Sequence, residues 1–395
     1  MIKNRTVFFI IFISFICFTG FLFLSLPGHP DFSGLVTPLN AAVSPGTITK
    51  SLVKSRNLSL HEAMYYEKSA AGSDVVCELC PRECTIHEGD TGDCRVRANI
   101  GGNLYSLVYA RPITVQIDPI EKKPLFHFHP RSKTFSFATA GCNLHCVNCQ
   151  NWNISQLSPF DMEKVEVLEP KDVVALCEKE GLSSISYTYN DPTVYYEYVL
   201  DTARLARAKG IRNVLVTAAY INQEPLKNLC PYIDAATVDI KGMSEKFYKR
   251  FNTAKLQPVL DALVTMKKAG VWLEVSFLVI PDENDTDDEL RKFSDWVRDN
   301  LGAETPVHFL RFFPLYKLTM KPPTPANTLK RALKIARDEG LKYAYIGNLP
   351  DSGVADTFCP HCGKKIIARD GYMIREIKVQ NGKCEYCGYA INGKW

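Results

Sequence analysis

Ala140-Gly-Cys-Asn-Leu-His-Cys-Val-Asn-Cys-Gln-Asn-Trp-Asn-Ile-Ser-Gln156 is the stretch on which the reading of this chain turns. Cys142, Cys146 and Cys149 stand at C-x3-C-x2-C, with no fourth cysteine nearby. A closed structural zinc site takes four ligands, and an iron–sulfur cube normally takes four thiolates. Three ligands from one loop therefore leave one metal position open, where a substrate or cofactor can bind. So short a loop also turns its backbone N–H groups toward the cluster, which tunes the potential. The bland alternatives are a zinc knuckle or three separate buried thiols.

Downstream of residue 134 the chain alternates strand and helix signals. Strands are expected at 134–140, 183–190, 212–221, 235–240, 271–280 and 306–313, with one more at 341–346. Helices are expected at 170–180, 193–209, 224–232, 257–269, 287–301 and 327–339, several ended by glycine. Six successive strand–helix units argue for a parallel α/β sheet joined by crossovers, closed as a barrel or open and doubly wound. In either form chemistry belongs at the carboxyl ends of the strands, and the cysteine loop follows the first strand at that edge. Other polar residues map to strand ends or faces: Asn190 and Asp191 after strand two, Asp239 and Lys241 after strand four, His308 and Arg311 on strand six. Each also has a plain structural reading, as a turn, an ion pair or a core histidine.

Eleven of the fourteen cysteines fall into three tight groups, which reads as metal ligation and not as a disulfide framework. Besides the central trio there are Cys77, Cys80, Cys84 and Cys94, then Cys359, Cys362, Cys384 and Cys387. The first quartet suits zinc or a second iron–sulfur cluster. The last is two C-x2-C knuckles flanking an expected hairpin over 369–379, a strong zinc-ribbon signal. Residues 104–128 alternate as strands of a small β lobe, and 60–70 look helical.

The amino-terminal residues 7–26 are apolar and uncharged, long enough for a bilayer helix. Lys3 and Arg5 precede this run and no Lys or Arg follows before Lys50. A single-span membrane anchor is expected, with charge placing the body outside and the cofactor chemistry arguing for the cytoplasm. The expected layout is an anchor at 1–26, a linker at 27–59, a Cys-rich β lobe at 60–130, a barrel at 131–348 and a zinc-ribbon-like tail at 349–395. With 47 Lys+Arg against 43 Asp+Glu, the charge balance offers no nucleic-acid footprint.

The cysteine loop resembles that of the radical S-adenosylmethionine (SAM) enzymes. C-E-L-C-P-R-E-C at 77–84, D-P-I-E-K-K-P-L-F-H-F at 118–128, Y-T-Y-N-D-P-T at 187–193 and C-P-H-C-G at 359–363 extend the likeness. Together they resemble the radical SAM member of the AmmeMemoRadiSam system, similar to pyruvate formate-lyase activating enzymes. The resemblance implies a partial (β/α)6 barrel, a [4Fe–4S] cluster on Cys142, Cys146 and Cys149, and SAM on the open iron. Cleavage of SAM would then yield a 5′-deoxyadenosyl radical that takes hydrogen from an unknown substrate, which by analogy with the activases is a protein. It implies SAM contacts at Asn190, Asp191, Asp239, Lys241, His308 and Arg311. Its implied partners are a low-potential electron donor and AMMECR1-domain and Memo-domain proteins. Asn148, Ala218-Ala219, Asp282 and Phe313 depart from the family pattern. The rival expectation is a non-catalytic metal-binding scaffold.

Overall fold

The computed structural model describes residues 47–69, 72–349 and 353–395. Its centre is an eight-stranded sheet, in order Ala344–Gly347, Val307–Arg311, Trp272–Val279, Ala235–Ile240, Arg212–Thr217, Ser184–Tyr187, Lys133–Ala138 and Thr114–Pro119. All neighbours pair in parallel except the last, which runs antiparallel to Lys133–Ala138. The two edge strands do not pair with each other, so the sheet is open. The parallel order follows the chain, each strand beside its predecessor. That is what short crossovers produce.

The strands read as apolar runs because they are covered on both faces. Ala235–Ile240 and Trp272–Val279 are buried along nearly their whole length. Helix Asp287–Leu301 shows how the local code works. The Thr286 hydroxyl accepts from the Glu289 amide, three acids occupy the first turn, and Gly302 at φ +99° ends it. Leu290, Phe293, Val297 and Leu301 form its buried stripe.

Several expectations are corrected. Residues 60–70 contain strands His61–Glu62 and Tyr66–Lys68, not a helix, because pairing with Ser106 and Cys77 outweighs a short local helix preference. Helix Lys50–Ser55, capped by Thr49, occupies part of the expected linker. Strand Thr114–Pro119 joins the large sheet and not the small lobe. The expectation of a membrane anchor is withdrawn: among the described residues no helix is long and apolar enough to cross a membrane. The run at 7–26 that carried that expectation lies outside the described residues.

Beneath the sheet, residues 119–130 cross the amino ends of the strands as a plug. Thr237 Oγ1 donates to the Lys123 carbonyl. Glu274 accepts from the amides of Phe126 (2.9 Å) and His127 (2.7 Å) and from His308 Nε2 (2.8 Å). The tail docks on the same plug. Buried Arg369 donates to the Phe126 carbonyl at 2.9 Å and to Thr357 Oγ1 at 2.7 Å. Its guanidinium lies 4.2 Å from the Phe126 ring centre. His127 Nδ1 donates to the Asn392 carbonyl, so Nε2 must accept from the Tyr345 hydroxyl.

Burial pushes His127 down to about 4. Burial alone would raise the Glu274 carboxyl, but His308 and the amide donors outweigh it and hold it below the usual carboxylate range. Both groups are depressed in the folded chain, so both favour folding above their unfolded pKa and lose that contribution as pH falls. The native chain should therefore lose on the order of 3 kcal/mol from His127 between about pH 6.5 and 4. Thermal denaturation across that range should show the melting temperature falling with pH, and more shallowly in His127→Gln. Identical slopes would contradict this assignment.

Candidate functional site

The cysteine loop leaves strand Lys133–Ala138 at its carboxyl end, as the alternation implied. Gly141, at φ +83°, sets the direction of the loop. Its amide donates to the Ile154 carbonyl at 3.0 Å. A Cβ there would lie 2.5 Å from the Cys94 carbonyl oxygen and 2.5 Å from the Val96 side chain. The loop is pinned on its other side by the amides of His145 and Val147, which donate to Asn252 and Phe251 carbonyls at 3.0 and 2.9 Å. The Lys317 amide closes the ring, donating to the Val147 carbonyl at 3.0 Å.

Cys142, Cys146 and Cys149 lie within one another's electrostatic reach. Burial pushes the Cys142 and Cys146 thiols up, with Asp191 adding to the first and Lys241 opposing in the second. Metal binding would replace those protons. Two polar side chains that the motif did not point to also meet the sulfurs. Asn252 Nδ2 donates to Cys146 Sγ at 3.0 Å, and Ser155 Oγ lies 3.2 Å from Cys149 Sγ. Ser155 sits in the quoted stretch and could have been found there. Asn252 arrives from more than a hundred residues away on a π-helical turn, Tyr248–Asn252, and carries no sequence signal.

Five of the six strand-end candidates gather at this edge. Asn190 Nδ2 donates to the carbonyls of Thr139 (2.9 Å) and Gly141 (2.6 Å), while its buried Oδ1 is without a partner. Asp191 accepts from the Thr193 amide, Thr217 Oγ1 and the Ala218 amide at 3.0, 3.0 and 2.8 Å, tying neighbouring strand ends together. Lys241 Nζ pairs with Asp239 at 2.7 Å. Burial opposes its charge, but Asp239 and the Cys146 sulfur outweigh that and hold its pKa above the ordinary lysine value. Arg311, at the carboxyl end of its strand, donates to the Thr324 carbonyl at 2.9 Å. His308 is the exception. It lies at the amino end of strand Val307–Arg311, bound to Glu274 and packed against Phe126 and Tyr345. Its strand was read correctly but its end was not: three residues from Arg311 is the opposite edge.

The two outer quartets differ. In the tail, all four sulfurs lie within 4.8 Å of one another, with Cys359–Cys387 at 3.7 Å and Cys362–Cys384 at 3.9 Å. Tetrahedral zinc with bonds near 2.3 Å would set sulfurs about 3.8 Å apart, so this donor set fits zinc. Cys77, Cys80, Cys84 and Cys94 line one cavity together with Arg82, Arg97 and Asn143. Burial pushes Cys80 up to about 12 and Cys94 up to about 11.

The model of the radical SAM superfamily matches residues 137–295, from the first parallel strand through most of helix Asp287–Leu301. The chain is also 46% identical over 335 residues to an uncharacterized protein of Methanocaldococcus jannaschii, covering 84% of this chain and 99% of that one.

This chain carries a radical SAM superfamily domain over residues 137–295.

It is accordingly an enzyme of the α/β radical SAM fold with a cysteine quartet in its tail, and the rival expectation of a non-catalytic scaffold falls away. It is 21% identical over 220 residues to the pyruvate formate-lyase 1-activating enzyme of Escherichia coli, covering 52% of this chain and 89% of that one. Among solved structures, a radical SAM methyltransferase from Sphaerobacter thermophilus has a TM-score of 0.43 at 15% identity, over 55% of this chain and 67% of that one. The superfamily implies a [4Fe–4S] cluster and SAM.

Gly141→Ala should cost about 2–5 kcal/mol, combining a left-handed backbone with overpacking against Cys94 and Val96. Its melting temperature should fall below that of the parent. An unchanged value would show that the approach is not as tight as described.

Proposed function

We propose that this radical SAM enzyme holds its cluster on Cys142, Cys146 and Cys149, binds SAM at the carboxyl edge of the sheet, and acts on a protein or peptide. The observation that carries this reading is the trio of neighbouring thiols on one strand-end loop, met by Asn252, Ser155 and Lys241. Three soft donors with hydrogen-bond partners suit a cube with one corner left for an outside ligand. When bound, the cluster and SAM supply the 5′-deoxyadenosyl radical that takes a hydrogen atom from the substrate.

The chain's own residues have narrower tasks. Asn252 and Ser155 direct hydrogen-bonding groups at two sulfurs, which stabilises the thiolate forms and raises the potential of whatever they bind. Asn190 Oδ1, buried and unpartnered, is placed to accept from the SAM amino group. Lys241 has two N–H bonds beyond the one to Asp239 and is placed to meet the SAM carboxylate. Asp191 and Asp239 hold the strand ends that carry these two residues, and Arg311 stands at the rim.

Two features support a protein substrate. Relatives over half the chain include an enzyme whose name says that it activates another enzyme. Beside the cysteine loop several large apolar side chains are exposed among basic ones: Trp152 stacks on Tyr316, Lys317 lies over the Tyr316 ring, and Phe313, Leu315 and Met320 face outward, Met320 at 94%. A low-potential one-electron donor completes the requirements. The closer likeness, to the AmmeMemoRadiSam enzyme with AMMECR1-domain and Memo-domain partners, rests on the quoted motifs alone. Zinc is proposed for Cys359, Cys362, Cys384 and Cys387, on the spacing of their sulfurs.

The test is anaerobic purification followed by counts of iron, sulfide and zinc and an assay of 5′-deoxyadenosine released from SAM under dithionite. Cys146→Ala should abolish release while leaving tail zinc unchanged. Release that survives the substitution would overturn the ligand assignment.

A further inference from the structure

The lobe quartet and the tail quartet offer the same four thiols in different arrangements. The tail sulfurs meet at zinc distances, whereas among the described residues no three lobe sulfurs come within 4.8 Å of one another. They line a shared cavity instead, walled by Leu79, Ile86 and Val194. On an iron–sulfur cube each thiolate caps a different iron, which spreads the sulfurs to roughly 6 Å apart. The lobe sulfurs share a cavity but stand too far apart to close on a single ion, which is compatible with a cube, whereas the tail sulfurs have single-ion spacing.

The lining of the cavity is mainly apolar, with a few polar groups directed at the sulfurs. Arg97 is 2% exposed and lines the cavity. Its Nη1 is spent on Glu197 at 2.9 Å and its Nη2 on the Met64 carbonyl, but its Nε is buried without a partner. The guanidinium stands within the field of the Cys77 and Cys94 sulfurs. Backbone amides of Arg82, Asp93 and Val96 point at Cys80, Cys84 and Cys94, and the Asn143 side chain reaches Cys80. Three of the four thiols are buried and Cys84 is half-buried. The charge of Arg97 is balanced by Glu197, so what it adds to the cavity is an N–H donor for an anionic group.

We infer that Cys77, Cys80, Cys84 and Cys94 hold a second, fully ligated [4Fe–4S] cluster and not zinc. It lies directly behind the Cys142 loop. Arg82 Nε donates to the Asn143 carbonyl at 2.5 Å, and the Cys94 carbonyl abuts Gly141, so the residues on either side of Cys142 touch the lobe quartet's segment. With all four irons capped, this cluster has no corner for SAM, and its place beside the first suits single-electron exchange with it.

The inference is independent of the loop's own occupancy, and one experiment separates them. The chain with C142A, C146A and C149A combined is reconstituted anaerobically with ferrous iron and sulfide. It should keep about four irons with matching sulfide, a reducible paramagnetic signal and about one zinc, against about eight irons in the parent. A folded triple variant that keeps no iron, or takes a second zinc, overturns the inference while leaving the proposed function standing. Should the triple variant not fold, Cys80→Ser with Cys84→Ser in the parent serves instead. Iron should fall there by half, and a parent that holds only four irons, all kept by this variant, overturns the inference equally.

Discussion

The close approach of two backbones at Gly141 is the constraint on which this structure rests. The segment carrying Cys94 and Val96 presses against the residue immediately before Cys142, leaving no room for a Cβ. From there the loop is fastened to three places that are remote in sequence: Ile154, the turn at Phe251 and Asn252, and the segment at Lys317. Asn190 reaches across from the next strand to hold the Gly141 carbonyl. A loop tied at so many points can present three sulfurs in one orientation before any metal arrives. Preorganisation of this kind lowers the cost of assembling a site.

The two ends of the sheet divide the work. At the carboxyl end, buried polar groups have spare capacity: Asn190 Oδ1 and Asn252 Oδ1 lack partners, and Lys241 keeps free N–H bonds. At the amino end nearly every polar group in the plug is spent. Glu274 takes four donors, Trp272 Nε1 among them, His127 both donates and accepts, and Arg369 knits the tail to Phe126 and Thr357. Satisfied networks rigidify, and unsatisfied ones wait for a ligand. Histidine and arginine appear at both ends, so residue type alone does not separate structure from chemistry here.

Sequence reasoning located the parallel strands to within a few residues because each is a short apolar run between turn signals. It placed the cysteine loop at a strand end for the same reason. The misreadings have physical causes. His308 and Arg311 share one strand, and in a parallel sheet residue order alone puts Arg311 at the carboxyl edge with the cysteines and His308 at the other, so naming both overlooked the strand's length. Asn252 is a lone asparagine whose importance comes from tertiary contact. Residues 118–128 alternate like a strand over their first part, yet the chain turns at Ile120 to run beneath the sheet, where Glu274 and Thr237 receive it. Nothing local marks that turn as a plug. The two outer cysteine quartets differ in sequence, C-x2-C-x3-C-x9-C against a pair of C-x2-C knuckles, but how far apart their sulfurs stand emerges only from the fold.

The central claim is that the Cys142, Cys146 and Cys149 sulfurs leave one iron open to SAM. It is tested most directly by pulsed magnetic resonance on the reduced protein, with SAM carrying nitrogen-15 in its amino group and oxygen-17 in its carboxylate. Hyperfine coupling of both labels to a cluster, lost when Cys149 is replaced by Ala, is the predicted result. A reduced cluster whose spectrum is indifferent to labelled SAM at saturating concentration would contradict it.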